Sequence, residues 1–263
     1  MEPKPAHLGP SYAAQFQEPG VAEAYVHRPP YPAETFDVLE GLCVGPTRRI
    51  LDLGAGTGDL ARPLALRGFT VDAVDVSEPM IARGRTLPGG DAPRLRWRVA
   101  RAEDVPPEPP YALVTAGQSW PWFAWDVVAA HCAATLEPGG VVALVERSLR
   151  PAPWDGALKK LIAAYSTNQE YRDYDLHDEL RRRGVFEVLG KHETPHHPSA
   201  YAIADFLDFL HSQNGLTRHR MGATAATFDA DVHALLRRHE RDGDVRRFVG
   251  ARVTWGRPLV PPT

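Results

Sequence analysis

Cysteine is nearly absent from this chain of 263 residues, which holds two, Cys43 and Cys132. Two thiols so far apart in sequence make neither a disulfide framework nor a repeated metal-ligand pattern, and a reducing cytoplasm is the expected setting. An excess of one charge sign is also missing. Lys plus Arg number 30 against 33 Asp plus Glu, a formal charge of -3. There is thus no global basic field to gather phosphate backbones or anionic lipid, and nucleic acid is not an expected partner. No apolar stretch approaches the roughly 18 residues that span a bilayer. Residues Met1 to Gly20 lack a basic start followed by an apolar run, so neither membrane anchoring nor export is expected. Internal repeats and long low-complexity tracts are lacking, apart from a flexible, Pro-rich first dozen residues and a Pro-rich tail.

What is present is a hydrophobic content of 43%, enough for an ordinary buried core. From Thr47 onward the pattern alternates between apolar β-rich runs and helical periodicity, the reading of a parallel sheet with crossover helices. Strands are predicted at Arg49–Leu53, Thr70–Val76, Leu95–Val99, Ala112–Ala116 and Val141–Glu146. Helices are predicted after the first strand through Leu66, at Met80–Leu87 and at Ala124–Leu136. Gly68 reads as a C-cap and Ser77 as an N-cap. After Leu149 the alternation breaks, with helices at Trp154–Thr167, Leu176–Arg183, Ala200–Ser212 and Asp229–Arg241, and one strand near Phe186–His192. A final strand at Arg247–Leu259 is expected to pair antiparallel near the sheet edge. The expected fold is therefore a doubly wound α/β sheet with a helical cap insertion. Its parts are residues 1–46 ahead of the first strand, a core at 47–150, the cap at 151–243, and the last strand and tail at 244–263. The charge run Arg237 to Asp242 reads as a solvated helix face.

The chemistry begins at Asp52-Leu53-Gly54-Ala55-Gly56-Thr57-Gly58, a strand running into closely spaced glycines and then a helix. Glycines there let the backbone approach a ligand. About twenty residues on, Asp75 ends the second strand, where a carboxylate can hold both hydroxyls of an adenosine ribose. The coupled spacing points to a nucleoside ligand. Dinucleotide enzymes read G-x-G-x-x-G and face a pyrophosphate, whereas here the spacing is tighter and Asp52 precedes it. A carboxylate at that place repels phosphate and suits an ammonium.

This combination resembles motif I of the class I S-adenosylmethionine methyltransferases, and the resemblance extends through Asp75, Val76 and the following Ser77-Glu78-Pro79-Met80. It implies S-adenosyl-L-methionine as cofactor, held by Asp52, Gly54, Ala55, Gly56, Asp75, Val76 and Met80. By the same resemblance, Ala102-Glu103-Asp104 looks like the adenine-binding loop, with the Ala102 amide and the Glu103 region at the base edge. Leu136-Glu137-Pro138-Gly139-Gly140 is similar to the family's turn before strand five. The N-terminal Tyr25-Val26-His27-Arg28-Pro29-Pro30-Tyr31-Pro32 resembles the Y-x-x-x-R-P-x-Y-P segment of small-molecule methyltransferases related to the trans-aconitate type. That implies a lid in which Tyr25, Arg28 and Tyr31 enclose the sulfonium and the methionine carboxylate.

In open α/β sheets the ligand lies outside the carboxyl ends of the strands, so the segment Gly117-Gln118-Ser119-Trp120-Pro121-Trp122-Phe123 should border the transferable methyl. Gln118 is expected at the cofactor. Trp120 is a candidate to face the sulfonium, though each ring there could equally be core. Relatives carry a His where this chain has Pro121, which puts base catalysis from this position in doubt and leaves alignment of an already nucleophilic acceptor as the mechanism. Tyr201 to Met221 is similar to an H-S-x-N-G-x-[ST]-R-x-R-M element of the same relatives. Tyr31, Trp120, Tyr165, His211 and Arg218 are the candidates for the reacting site, with Tyr201, Ser212 and Asn214 lining it. Arg218 could pair with an acidic acceptor, or Arg218 and Arg220 could pair with acids of the cap. His192, His196 and His197 lack acids or cysteines at ligand spacing, read as an exposed loop, and lead to no expected metal.

The expected activity is methyl transfer to a small-molecule acceptor, possibly a carboxylate, by a monomer or homodimer. Two alternatives stay open, cyclisation or cleavage of the cofactor's aminobutyryl arm to release methylthioadenosine, and a non-catalytic cofactor-binding protein. A basic groove and an Asn-Pro-Pro-Tyr-like stretch are missing, which argues against a nucleic-acid methyltransferase.

Overall fold

The computed structural model describes residues 4–105 and 110–260; the end of the Pro-rich tail and residues 1–3 lie outside the described residues. In chain order the elements begin with helices α1 (Pro10–Ala13), α2 (Val21–Tyr25) and α3 (Ala33–Leu42). Then come β1 (Arg49–Leu53), α4 (Ala61–Leu66), β2 (Thr70–Asp75), α5 (Glu78–Thr86), β3 (Leu95–Val99) and β4 (Tyr111–Gly117). Next are α6 (Trp125–Thr135), β5 (Leu136–Leu149), α7 (Asp155–Tyr165), α8 (Leu176–Arg182), β6 (Phe186–Glu193) and β7 (His197–Ala202). The chain closes with α9 (Ile203–His211), α10 (Arg218–Met221), α11 (Thr224–Leu236) and β8 (Asp244–Pro258).

The strands form one sheet in the order β3-β2-β1-β4-β5-β8-β6, with β7 paired to β8 off this path. Strands β3, β2, β1, β4 and β5 run parallel, while β8 is antiparallel to both β6 and β7. The doubly wound α/β fold with an antiparallel last strand is thus as expected, and β6 rather than β8 takes the outermost place. Central β1 is buried over Ile50–Leu53, as befits a parallel strand covered on both faces. Gly68, in the left-handed region, follows the end of α4, and Ser77 Oγ accepts the Met80 amide at the start of α5.

The chain packs as two compact units. The core unit comprises Tyr31–Ser148, Asp173–Pro195 and Gly250–Thr263. Its interior is built from Ile50, Leu64, Phe69, Val71, Leu113 and Val253, with Phe36 and Leu39 of α3. The cap unit comprises Met1–Pro30, Leu149–Arg172 and His196–Val249. Its interior joins Trp154, Phe206, Leu210, Phe228, Val232, Leu236 and Val245. Helices α9 and α11 each bury one stripe there: Ile203, Phe206, Leu207 and Leu210 on α9, and Ala225, Phe228, Val232 and Leu236 on α11.

Several local expectations are corrected. Residues His197–Ala202 are a strand rather than a loop leading into a helix, and α9 begins only at Ile203. This strand carries Pro198, which is tolerated because β7 pairs with β8 alone and need not donate on its other side. Helix α3 and the short helices ahead of it were not expected. In the segment expected to be flexible, His7 and Leu8 are buried in a 3-10 turn. Helix α11 starts at Thr224 and ends at Leu236, so the charge run that follows lies beyond the helix. Arg237, Arg238, Arg241 and Asp242 are nonetheless exposed.

Candidate functional site

The core unit presents its chemistry at the carboxyl ends of β1, β2, β4 and β5. Where β1 stops, Gly54, Gly56 and Gly58 all take the left-handed backbone, with φ of +65°, +57° and +83°. At Gly54 a side chain is excluded twice over. A Cβ there would lie 2.4 Å from Ser119 Cβ and 3.2 Å from Phe123 Cζ. The Ser119 hydroxyl in turn donates to the Leu53 carbonyl at 2.6 Å, which ties the turn after β1 to the segment after β4.

Because Leu53 pairs with Val74, the next residue of β2, Asp75, stands level with the glycine turn. Its Oδ2 accepts the Gly56 amide at 2.7 Å and its Oδ1 the Ser77 amide at 2.8 Å. Burial pushes the Asp75 carboxyl upward, opposed by the amides of Ser77, Gly56 and Val76. Beside it, Val76 is 43% exposed, and Val99, the β3 partner of Asp75, is 53% exposed. Two exposed valines flanking a carboxylate offer an apolar ledge next to a polar hook. Met80, also expected at the cofactor, is instead buried in the core on α5, and Ala55 is buried as well.

Asp52 lies within the sheet, and its Oδ1 accepts the Thr115 hydroxyl at 2.7 Å. Burial pushes its carboxyl up to about 7, with the Thr115 bond opposing and the neighbouring Asp75 and Asp59 carboxylates adding to the rise. Of these acids Asp59 is paired with Arg147 and Arg62, which leaves Asp52 and Asp75 to raise the local preference for positive charge.

Glu103 has a partner of its own. Its Oε1 accepts the Ala124 amide at 2.7 Å, ahead of the first turn of α6, and Arg101 Nε donates to Oε2 at 3.3 Å. Burial works against ionisation here, but these two partners hold the carboxyl below its usual value. Ala102 is buried in the 3-10 turn that carries Glu103.

After β4, Gln118 sits at φ +58°, a left-handed conformation that is costly for a residue with a Cβ. Its amide donates to the Val145 carbonyl at 2.9 Å and its Oε1 accepts Arg147 Nη1 at 2.6 Å. Arg147 Nη2 donates to Asp59 Oδ2 at 2.5 Å, and the guanidinium lies 4.2 Å from the centre of the Tyr31 ring. Tyr31 is buried, and its hydroxyl is 3.5 Å from the Val145 carbonyl. Arg147 and Asp59 were missed in the sequence. The rule that ligands lie beyond the carboxyl ends of strands, applied to strand five as it was to strand four, would have pointed to Arg147. Trp120 is placed in the core. It is buried, packs 5.9 Å from Phe123 and 6.4 Å from Phe186 between ring centres, and its Nε1 has no hydrogen-bond partner among the described residues.

The remaining expected residues belong to the cap unit. Arg28 donates from Nε to Ser212 Oγ at 2.9 Å, from Nη2 to the Ser212 carbonyl at 2.6 Å, and from Nη1 to the Tyr25 hydroxyl at 3.1 Å. His211 is buried with Nε2 2.6 Å from Asp229 Oδ1 and Nδ1 2.6 Å from the Leu216 carbonyl. Arg218 pairs with Asp208 at 2.6 Å and Asp229 at 3.5 Å, and Arg220 with Glu18 at 2.5 Å. Of the two readings of these arginines, the one in which they pair with acids of the cap is therefore the arrangement present. Tyr165 donates to Asp231 at 2.6 Å, a bond that, with burial, raises its phenol. Asn214 bonds Asn168 and the Tyr12 carbonyl. Tyr201 is buried among Phe206 and Phe209.

His192 and His197 are exposed, as expected, though on strands rather than in a loop. Among the described residues, the grouping compact enough for a metal is a different one, His27 with Asp205 and Asp208. There the Arg218 cation already neutralises Asp208. Cys43 and Cys132 are buried free thiols that burial pushes up to about 11 and about 12, which removes them as nucleophiles.

Residues 50–140 match the family described as "Methyltransferase domain". An uncharacterised methyltransferase of Mycobacterium tuberculosis is 35% identical over 119 residues, 45% of this chain and 46% of that one. A ubiquinone biosynthesis O-methyltransferase of Sinorhizobium medicae is 34% identical over 126 residues, 43% of this chain and 45% of the other. The chain thus spans less than half the length of these relatives. Among solved structures, a proposed type II methyltransferase from Anaeromyxobacter dehalogenans is 27% identical with a TM-score of 0.61, covering 88% of this chain and 97% of that one. A Thiobacillus denitrificans methyltransferase in complex with S-adenosyl-L-homocysteine shares the fold at 18% identity and a TM-score of 0.50, covering 91% of this chain and 97% of the other. The glycine turn bonded to the carboxylate that ends β2, inside the span that matches, makes residues 50–140 a class I S-adenosylmethionine-dependent methyltransferase domain.

Proposed function

We propose that the protein transfers a methyl group from S-adenosyl-L-methionine to a small-molecule acceptor. The observation that carries this reading is the Asp75 carboxylate, fixed by the Gly56 and Ser77 amides beside exposed Val76 and Val99. The donor set fits the group. Asp75 would take the ribose hydroxyls, and the two valines would meet the adenine. Asp52 and Asp75 favour a ligand bearing a sulfonium and an ammonium over one bearing phosphates. When bound, the cofactor supplies a methyl group open to in-line attack.

The chain's own residues would orient rather than exchange protons with the acceptor. Pro121 offers no base, so alignment and exclusion of water are the sources of acceleration open to Gln118 and Tyr31. The resemblance of the segment Tyr25 to Pro32 to enzymes of the trans-aconitate type, and the ubiquinone biosynthesis O-methyltransferase among the relatives, both favour a small acceptor. A carboxylate is one form of this reading. The cations it rests on, Arg28 and Arg218, already hold Ser212 and the Asp208 and Asp229 carboxylates, so hydroxyls and thiols belong in the same screen.

The test is calorimetric titration of the purified protein with S-adenosyl-L-methionine, then chromatography of the cofactor after incubation with candidate acceptors. Micromolar binding, with S-adenosyl-L-homocysteine formed only when an acceptor is present, is expected. Methylthioadenosine above the enzyme-free control would replace transfer by chemistry within the cofactor. Binding without turnover across the whole screen would overturn the enzymatic reading.

A further inference from the structure

A buried cation stands in a domain whose ligand is itself cationic. The Arg147 side chain is only 7% exposed, and it lies at the carboxyl end of β5, the edge from which open α/β sheets bind ligands. A guanidinium placed there repels a sulfonium unless its charge is neutralised, and Asp59 does so at 2.5 Å. An ion pair alone would not need the rest of the arrangement. The second arm of the fork reaches Gln118 Oε1 at 2.6 Å, and the guanidinium carbon lies over the Tyr31 ring, 4.2 Å from its centre.

One side chain thus joins the residue that follows the glycine turn, the residue that follows β4, and the ring that opens the core unit. Gln118 is the costliest of these to hold, since its backbone is left-handed at φ +58°. The surroundings that offset this cost are its amide bond to Val145 and its side-chain bond to Arg147. Lysine could not substitute, because a single ammonium cannot reach an amide oxygen and a carboxylate in a fixed fork while sitting over a ring. Asp59 also accepts from Arg62, whose Nε donates to the Thr57 carbonyl at 2.9 Å, so the same network reaches back into the glycine turn.

We infer that Arg147 is a positioning residue of the cofactor site, acting through Gln118 and Tyr31. This rests on the reading above in which Gln118 and Tyr31 face the cofactor. A double-mutant cycle tests it, with affinity for S-adenosyl-L-methionine measured by calorimetry and the melting temperature recorded for every variant. Arg147→Met and Gln118→Ala should each weaken binding about tenfold, and the double variant should be no weaker than about tenfold, because the second change removes what the first has already released. Arg147→Lys should fall between wild type and Arg147→Met, and it keeps a cation opposite Asp59 should the methionine variant fold poorly. A purely structural Arg147 would lower the melting temperature without such coupling. The inference is overturned if affinity stays within twofold of wild type in folded Arg147 variants, or if the two losses multiply to about a hundredfold. Failure of wild-type protein to bind S-adenosyl-L-methionine would instead overturn the cofactor reading itself, and this inference with it.

Discussion

The carboxylate of Asp75 and the amide of Gly56 meet at 2.7 Å, so the acid that ends β2 is held in place by the turn that ends β1. Asp75 therefore has two tasks, bracing the glycine turn and presenting its remaining lone pairs outward. Asp75→Asn keeps the shape but loses the charge, and Asp75→Ala loses both. Affinity for S-adenosyl-L-methionine should fall by about 10-fold for Asn and about 100-fold for Ala, as charged hydrogen bonds are lost. Calorimetric titration checks this, and equal affinity in both variants would remove Asp75 from the site.

Asp52 gives the site a pH dependence. Its carboxyl, raised by burial to about 7 from an ordinary 3.8, favours the folded state most below about 4, and that contribution is lost as the pH rises through about 7. A cationic ligand favours the ionised form, so binding should release a proton and affinity should rise by about tenfold from pH 6 to pH 8. Titrations in buffers of different ionisation enthalpy read the proton directly. Asp52→Asn should flatten the profile; a slope unchanged in that variant would assign it elsewhere.

Gly54 should tolerate no side chain. Gly54→Ala forces a left-handed alanine whose Cβ meets Ser119 Cβ at 2.4 Å. A loss of about 2–4 kcal/mol in chemical denaturation is expected from overpacking plus backbone strain. Ser119→Gly itself loses the bond to the Leu53 carbonyl, but in that background Gly54→Ala should cost less than in wild type, since the nearest clashing atom is gone.

Glu103→Ala removes the acceptor of the Ala124 amide ahead of α6. The expected cost is about 1 kcal/mol, similar to loss of a helix cap. Since the folded carboxyl lies below its ordinary 4.5, this contribution is present above that pH and fades as the pH falls through the folded value. Melting temperatures of wild type and variant should therefore converge in acid. A constant gap down to pH 3 would mean the bond does not form.

The features legible in the sequence were those whose partners are close along the chain. Strands β1 and β3 were read to the residue, because each is an uninterrupted run bounded by a turn. The coupling of Gly56 to Asp75 spans 19 residues and follows a fixed strand-turn-helix-strand spacing, so it too was visible. Arg147 was not, since its meaning comes from Asp59, 88 residues earlier, and from Gln118 and Tyr31 on two further segments. Strand β7 was hidden for the same reason. Its pairing with Asp244–Val249 lies far along the chain, and its own composition, with a proline and little apolar surface, favours a loop. Trp120 and Met80 show a different limit. An aromatic ring or a thioether suits a ligand wall and a core equally well, and only packing decides between them.

The division of the chain into interleaved segments sets an order of events at the ribosome. Each unit draws on three separate stretches of sequence, and β8, which lies between β5 and β6 in the sheet, supplies residues to both. Neither unit can finish folding until β8 has left the exit tunnel. Until then, the growing chain carries a sheet that lacks an interior strand. A truncation within β8 should thus damage both units at once, since Asp244–Val249 belongs to one and Gly250–Pro258 to the other.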